Sequence, residues 1–193
     1  MKKYILIAGV NGAGKSTLYQ TLQSLQNMPR INLDEIVKQL GDWKNPVDVM
    51  TAGKISVKRI SQFLNENISF NQETTLCGKT IIKNIAKAKK QGYFIELHYI
   101  GVEDVEIAKT RVLNRVKRGG HGIPESDIEK RYFETFSNLK VVLPLCDLTA
   151  FYDKTFEFRR FAIYQNGCPM RVSQDLPQWY KTYVVTKQGY FRV

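Results

Sequence analysis

The chain is poor in the residues that build metal centres and disulfide frameworks. It has three cysteines, Cys77, Cys146 and Cys168, and two histidines in 193 residues. The cysteines are odd in number, widely spaced and free of any C-x-x-C pair, so neither a zinc cluster nor a disulfide framework is implied. A reducing cytoplasm is the expected location. No linker rich in Pro, Gly or Ser and no internal repeat divides the chain, so a single domain over residues 1–193 is expected. No apolar run approaches the ~20 residues of a membrane helix. The short run in "MKKYILIAG" leads into a glycine-rich loop rather than a cleavage site. Acidic residues are scarce as well: 18 Asp and Glu stand against 29 Lys and Arg, a formal net charge of +11. That balance suits a polyanion or a small substrate carrying several phosphates.

What is present begins with "GVNGAGKS", residues 9–16, which fits G-x-x-x-x-G-K-[ST] between an apolar run and an amphipathic segment. The expected phosphate cradle comprises Gly9, Asn11, Gly12, Ala13 and Gly14. Lys15 reaches the β and γ phosphates, and Ser16 places its hydroxyl on Mg²⁺. Thr17 packs or caps beside them. Neither N-K-x-D nor D-x-x-G occurs, which favours ATP over GTP. The strand "YFIELHYI" lacks the terminal Asp of mechanical ATPases: Glu96 lies inside it and His98 reads as a core residue.

Hydrophobic periodicity predicts a buried strand at residues 3–8, a helix over 15–25, a short strand before Asp34, and helices over 34–40 and 46–67. A strand ending near Glu73 precedes a lysine-rich helix, in which Lys79, Lys83, Lys87 and Lys90 oppose Ile81, Ile82 and Ile85 on a solvated face. A central parallel strand follows at 93–102. Two helices then flank "RGGHG", with Pro124 and Glu125 in the first turn of the second. After them come a strand near 146–153 and a hairpin turning at Asn166-Gly167. Strands alternating with helices behind a phosphate loop imply an α/β sandwich with a mostly parallel sheet.

Phosphoryl transfer to an alcohol needs a carboxylate near the γ phosphate and cations around it. Asp34, after the second strand, can be that carboxylate or the N-cap of the next helix. Glu73 and Thr74 are either site residues or an ordinary strand-end turn. Arg115, Arg118 and Arg131 flank Gly119, Gly120 and Gly122, the composition of a mobile lid over about 115–131. His121 reads as a packing or hydrogen-bonding residue of that lid.

Taken in order, "GVNGAGKST", "INLDE", "ETTLCG", "RGGHGIPESDIEKRY" and "AFYDKT" resemble the zeta toxin family of P-loop kinases over residues 3–155. The resemblance implies a three-layer α/β/α P-loop kinase sandwich and an ATP- and Mg²⁺-dependent kinase. The best-known toxin members phosphorylate a sugar hydroxyl of UDP-N-acetylglucosamine. By position, Asp34 matches the catalytic Asp, Glu73 and Thr74 the segment that contacts the acceptor, and Arg118 and Arg131 the lid arginines. Leu33 stands where the family often has proline. A toxin would also have an antitoxin partner. Two other readings stay open: a kinase of nucleic-acid ends, for which the aromatic and basic residues of "FEFRRFAIY" are a hint, and an ATP-gated binding protein without phosphate transfer.

Overall fold

The apolar run before the glycine loop forms β1 (Lys3–Ala8), whose last five residues are buried. In the computed structural model, residues 1–185 are described. After β1 come α1 (Lys15–Thr21), α2 (Gln23–Gln26), β2 (Arg30–Asn32), α3 (Leu33–Leu40), α4 (Pro46–Asn65), β3 (Phe70–Thr74) and α5 (Lys79–Lys90). Then follow β4 (Phe94–Gly101), α6 (Val105–Lys117), α7 (Glu125–Val142), β5 (Leu148–Asp153), β6 (Arg159–Gln165), β7 (Cys168–Val172) and α8 (Gln178–Tyr183). The strands make one sheet in the order β2-β3-β1-β4-β5-β6-β7, parallel through β5 and antiparallel beyond it. Helices complete the expected three-layer α/β arrangement.

The strand order fixes where a ligand can enter. From β1 the chain moves to β2 and β3 on one side, then returns to β4 on the other. The crevice at such a reversal lies outside the carboxyl ends of the strands, and here the glycine loop occupies it.

Where sequence and structure differ, a local interaction explains it. The helix expected over 15–25 breaks at Leu22, whose ψ of 82° is not helical. The break turns Leu25 into the core and presents its carbonyl to the Asn71 amide at 3.1 Å. The helix from Pro46 stops at Asn65, ahead of Asn67 at φ 57°. The hairpin forms as expected, with positive φ at both Asn166 and Gly167. Lys79, Lys83, Lys87 and Lys90 of α5 face solvent while Ile81, Ile85 and Ala88 are buried. His98 is buried, hydrogen-bonded to Glu96 and Tyr152. The aromatic series of "FEFRRFAIY" divides: Phe161 is in the core, Phe158 stacks on Tyr152 at 5.3 Å, and Phe156 alone of the three is fully exposed.

An aromatic cluster holds the far end of the sheet to the site. Trp179 of α8 lies against Tyr99 and Phe136, and a Cβ on Gly101 would come within 2.3 Å of its ring. Its indole N–H donates to Asp153 Oδ1 at 2.9 Å, which sets the loop after β5 beside the glycine loop. Trp179→Ala should cost about 3–5 kcal/mol, measured by urea unfolding, because a fully buried ring and a buried hydrogen bond are lost together.

Candidate active site

The glycine loop has the backbone its sequence requires. Gly9 sits at φ 145°, where a Cβ would lie 2.3 Å from the Ile100 carbonyl. Gly14 caps α1 at φ 96° with no side-chain hydrogen bond, so the N–H groups of the first turn are free to receive an anion. Asn11, Ala13 and Lys15 are buried, whereas Ser16 and Thr17 are exposed, so Thr17 does not pack as expected. Lys15 Nζ donates to the carbonyls of Gly9 and Val10 at 2.9 and 3.1 Å, folded into its own loop. Burial lowers its pKa, and the nearby carboxylates of Glu73 and Asp34 oppose that shift.

The β2–α3 junction decides the two readings of Asp34. The cap of α3 is Asn32, whose Oδ1 accepts from the N–H groups of Asp34 at 2.9 Å and Glu35 at 3.4 Å. Asp34 is therefore inside the first turn, with its carboxylate free to face the cavity. Asn32 uses its other end as well, donating from Nδ2 to Glu73 Oε2 at 3.0 Å. Glu73 is the next-to-last residue of β3, where register pairs it with Ile7 just before the glycine loop. It accepts from the Ser16 hydroxyl at 3.0 Å and from Arg30 Nη2 at 2.7 Å. Arg30 also stacks 3.6 Å over the Tyr19 ring and pairs with Glu35. Thr74 serves the turn: its hydroxyl accepts from the N–H of Leu76, a leucine at φ 61°. Backbone in that region is costly for leucine. Glu134 and Asn138 of α7 hold the turn through Gly78 and Leu76.

Two arginines and a histidine approach from the other side. Arg131 of α7 donates to Asn11 Oδ1 at 3.5 Å and pairs with Asp127. Arg115 Nη1 lies 3.6 Å from Asp34 Oδ2, and His121 Nε2 lies 3.3 Å from Asp34 Oδ1. Arg118 is the C-cap residue of α6 and sits in an outer cleft with Arg111 and Asn114. The resemblance gave the lid role to Arg118 and Arg131, but it is Arg115 that faces Asp34. Two glycines that follow Arg118 are steric requirements: a Cβ on Gly120 would meet the Arg115 stem at 2.6 Å, and one on Gly122 would meet Trp43 at 2.6 Å.

These groups line two adjoining spaces. One, of about 240 Å³, holds Lys15, Asp34, Glu73, Thr74, Arg115 and Arg131. The other, of about 620 Å³, runs from Asp34 and Ser16 to Trp43, Lys44 and His121. Asn32, Asp34 and Arg115 belong to both. Sequence reasoning missed Asn32 and Arg30. Asn32 carried a signal, being a cap-type residue before a helix, whereas Arg30 carried none.

The zeta toxin family profile matches residues 1–167, which reaches past the motifs into the hairpin. The chain belongs to the zeta toxin family. An uncharacterised Haemophilus influenzae protein is 35% identical over 130 residues, covering 67% of this chain and 92% of its own length. The AvrRxo1-ORF1 structure, solved with AvrRxo1-ORF2 and sulphate ions, superposes with a TM-score of 0.72 at 15% identity over 95% of this chain. This zeta toxin family chain spans 63% of that structure's length. A chain from the PezAT toxin–antitoxin system of Streptococcus pneumoniae gives a TM-score of 0.62 at 18% identity, covering 82% of this chain and 70% of its own.

The contacts of His121 make a direct prediction. Burial lowers its pKa, Arg115 and Arg131 reinforce the shift, and the carboxylates of Asp34 and Asp42 oppose it. In an NMR titration with two histidines, His121 should protonate below the ordinary ~6.5. Asp34→Asn removes the main opposing charge and should lower that midpoint further; an unchanged midpoint would mean that the two groups do not face each other in solution.

Proposed function

We propose that the protein is an ATP-dependent phosphotransferase that moves the γ phosphate of ATP to a hydroxyl of a small acceptor, with UDP-N-acetylglucosamine as the leading candidate. One observation carries this reading: an uncapped carboxylate, Asp34, shares a cavity with Lys15 of a phosphate loop and with Arg131. A protein that only bound nucleotide would not need a proton acceptor at that place. ATP is favoured by the missing guanine motifs, and a further structure of the AvrRxo1 pair was solved with ATP.

Asp34 orients the acceptor hydroxyl and takes its proton. Lys15 leaves the Gly9 and Val10 carbonyls for the phosphates. Arg131 balances charge at the cavity wall, and Arg118 does so from the outer cleft when the 118–124 loop closes. The hydroxyl of Ser16 and the carboxylate of Glu73 are hard oxygen donors 3.0 Å apart, a pair that fits Mg²⁺ shared with substrate phosphates. Bound there, the ion would neutralise charge on the phosphate oxygens. Glu73, expected at the acceptor, is thereby assigned to the metal side, and Thr74 to the turn that borders the acceptor. The space beside Trp43 and Lys44 is large enough for a nucleotide sugar. The PezAT chain comes from a toxin–antitoxin system, and an antitoxin is proposed as a partner here. The nucleic-acid alternative loses its aromatic platform with Phe161 in the core.

The test is ADP formation from ATP and Mg²⁺ with and without UDP-N-acetylglucosamine, with mass spectrometry for one added phosphate on the sugar nucleotide. Asp34→Asn should lower transfer about 100-fold or more while ATP affinity stays within a few-fold. Lys15→Ala should weaken ATP binding and turnover together. Turnover of Asp34→Asn at the wild-type rate would remove the base assignment. ADP formation without a sugar product would remove the acceptor, and RNA and DNA ends would be tried next.

A further inference from the structure

Gly53 lies in the interior of α4, where only proline is less favourable than glycine. At every other glycine among the described residues the structure gives a reason for it: a positive φ, or a neighbour that a Cβ would strike. Gly53 has neither, since its backbone is helical and a Cβ would meet nothing within 4 Å. It opens instead on the cavity of about 240 Å³ that holds Asp34. Side-chain alternation along β3 sets what stands beside it. Glu73 turns to Ser16 of α1, so Gln72 and Thr74 turn to the opposite face; there Ile31, the register partner of Gln72, and Ser56 of α4 also line the cavity. The Ser56 hydroxyl donates to the Ala52 carbonyl at 2.9 Å and keeps its lone pairs. Gln72 Oε1 accepts from the Tyr4 hydroxyl, which leaves the Nε2 donors with no partner among the described residues.

We infer that Gly53 determines acceptor specificity: its missing side chain leaves room against α4 for a neutral, hydroxyl-bearing ring of the acceptor, with the Gln72 amide and the Ser56 hydroxyl as hydrogen-bond partners. Three observations select that class. No aromatic ring among the described residues lines the cavity, so a nucleobase would find nothing to stack on. The groups beside Gly53 carry no charge, so a phosphate placed there would lose its water without gaining a cation. The cavity is also smaller than the ~300–1,000 Å³ of pockets that take a whole ligand, so only part of the acceptor enters it. The remainder, with any phosphates, lies in the adjoining space where Lys38, Trp43 and Lys44 stand. This arrangement brings the hydroxyls of the ring to the cavity of Asp34. The inference rests on the phosphotransfer reading and gives a role to α4, to which no motif of the sequence points.

The test separates the pocket from the reaction. Binding of N-acetylglucosamine, the neutral part of the leading acceptor, is followed by amide NMR at millimolar concentration. In the wild-type protein the backbone signals of Gly53 and Ser56 and the side-chain amide of Gln72 should shift together. Gly53→Leu, whose side chain enters the pocket, should weaken sugar binding about 10-fold or more, and Gly53→Ala a few-fold, while ATP affinity stays that of the wild type. With an acceptor that is phosphorylated, Gly53→Ala should raise KM more than it lowers kcat. The same variant should hold or raise the urea midpoint, because alanine favours the helix; a lower midpoint with unchanged sugar affinity would make Gly53 a packing residue and overturn the inference. Unchanged sugar affinity in Gly53→Leu, or shifts confined to other residues, would overturn it as well. Should Gly53→Leu fail to fold, unchanged affinity in Gly53→Ala decides equally. Absence of sugar binding to the wild-type protein would overturn the inference and leave the kinase reading standing, to be judged by ADP formation with other acceptors. Sugar binding that Gly53→Leu abolishes, without phosphate transfer to any acceptor, would support the pocket and remove the phosphotransfer reading alone.

Discussion

The side-chain amide of Asn32 joins the two halves of the site. Its oxygen caps α3 and so fixes Asp34 in the first turn, and its nitrogen holds Glu73, which carries the Ser16 hydroxyl. A cap alone contributes about 1 kcal/mol. The larger consequence is geometric: one rigid amide sets the carboxylate on α3 and the carboxylate at the end of β3 relative to the phosphate loop. Arg30, stacked on Tyr19 and paired with both Glu73 and Glu35, reinforces the same link. Side chains tied into such a connected network hold a site more narrowly than separate contacts would.

The second constraint is charge. The cavity gathers Lys15, Arg115 and Arg131 around Asp34 and Glu73. Each cation has a partner within the protein: carbonyls for Lys15, Asn11 and Asp127 for Arg131, and Asp34 at a distance for Arg115. The large net positive charge of the chain has a separate component, the lysine face of α5, which is solvated and pairs with the body of the protein through Lys89 and Asp147.

Much of the fold was legible because its signals are local. The alternation of apolar runs and amphipathic segments announced the parallel sheet, and Asn166-Gly167 announced the hairpin, since both residues tolerate positive φ. The break at Leu22 was not legible, because its cause lies in Asn71, 49 positions away on another strand. The site divides in the same manner. Lys15 and Ser16 follow from a contiguous motif whose backbone needs glycine. Glu73 was visible as a candidate, but its neighbour was not: contact with Ser16 depends on the pairing of β1 with β3.

The sequence by itself determined the phosphate loop, the helices and strands around it, and the set of carboxylates and arginines from which a transferase site could be built. Each of these rests on residues close together in the chain, where backbone preference and hydrophobic period are decisive. Only the tertiary structure decided that Asn32 rather than Asp34 caps α3, that Glu73 meets Ser16, and that Arg115 rather than Arg118 faces Asp34. Those choices depend on where β2, β3 and α6 come to lie around β1. Helical spacing records which residues share a face, but not which face the sheet turns toward the loop.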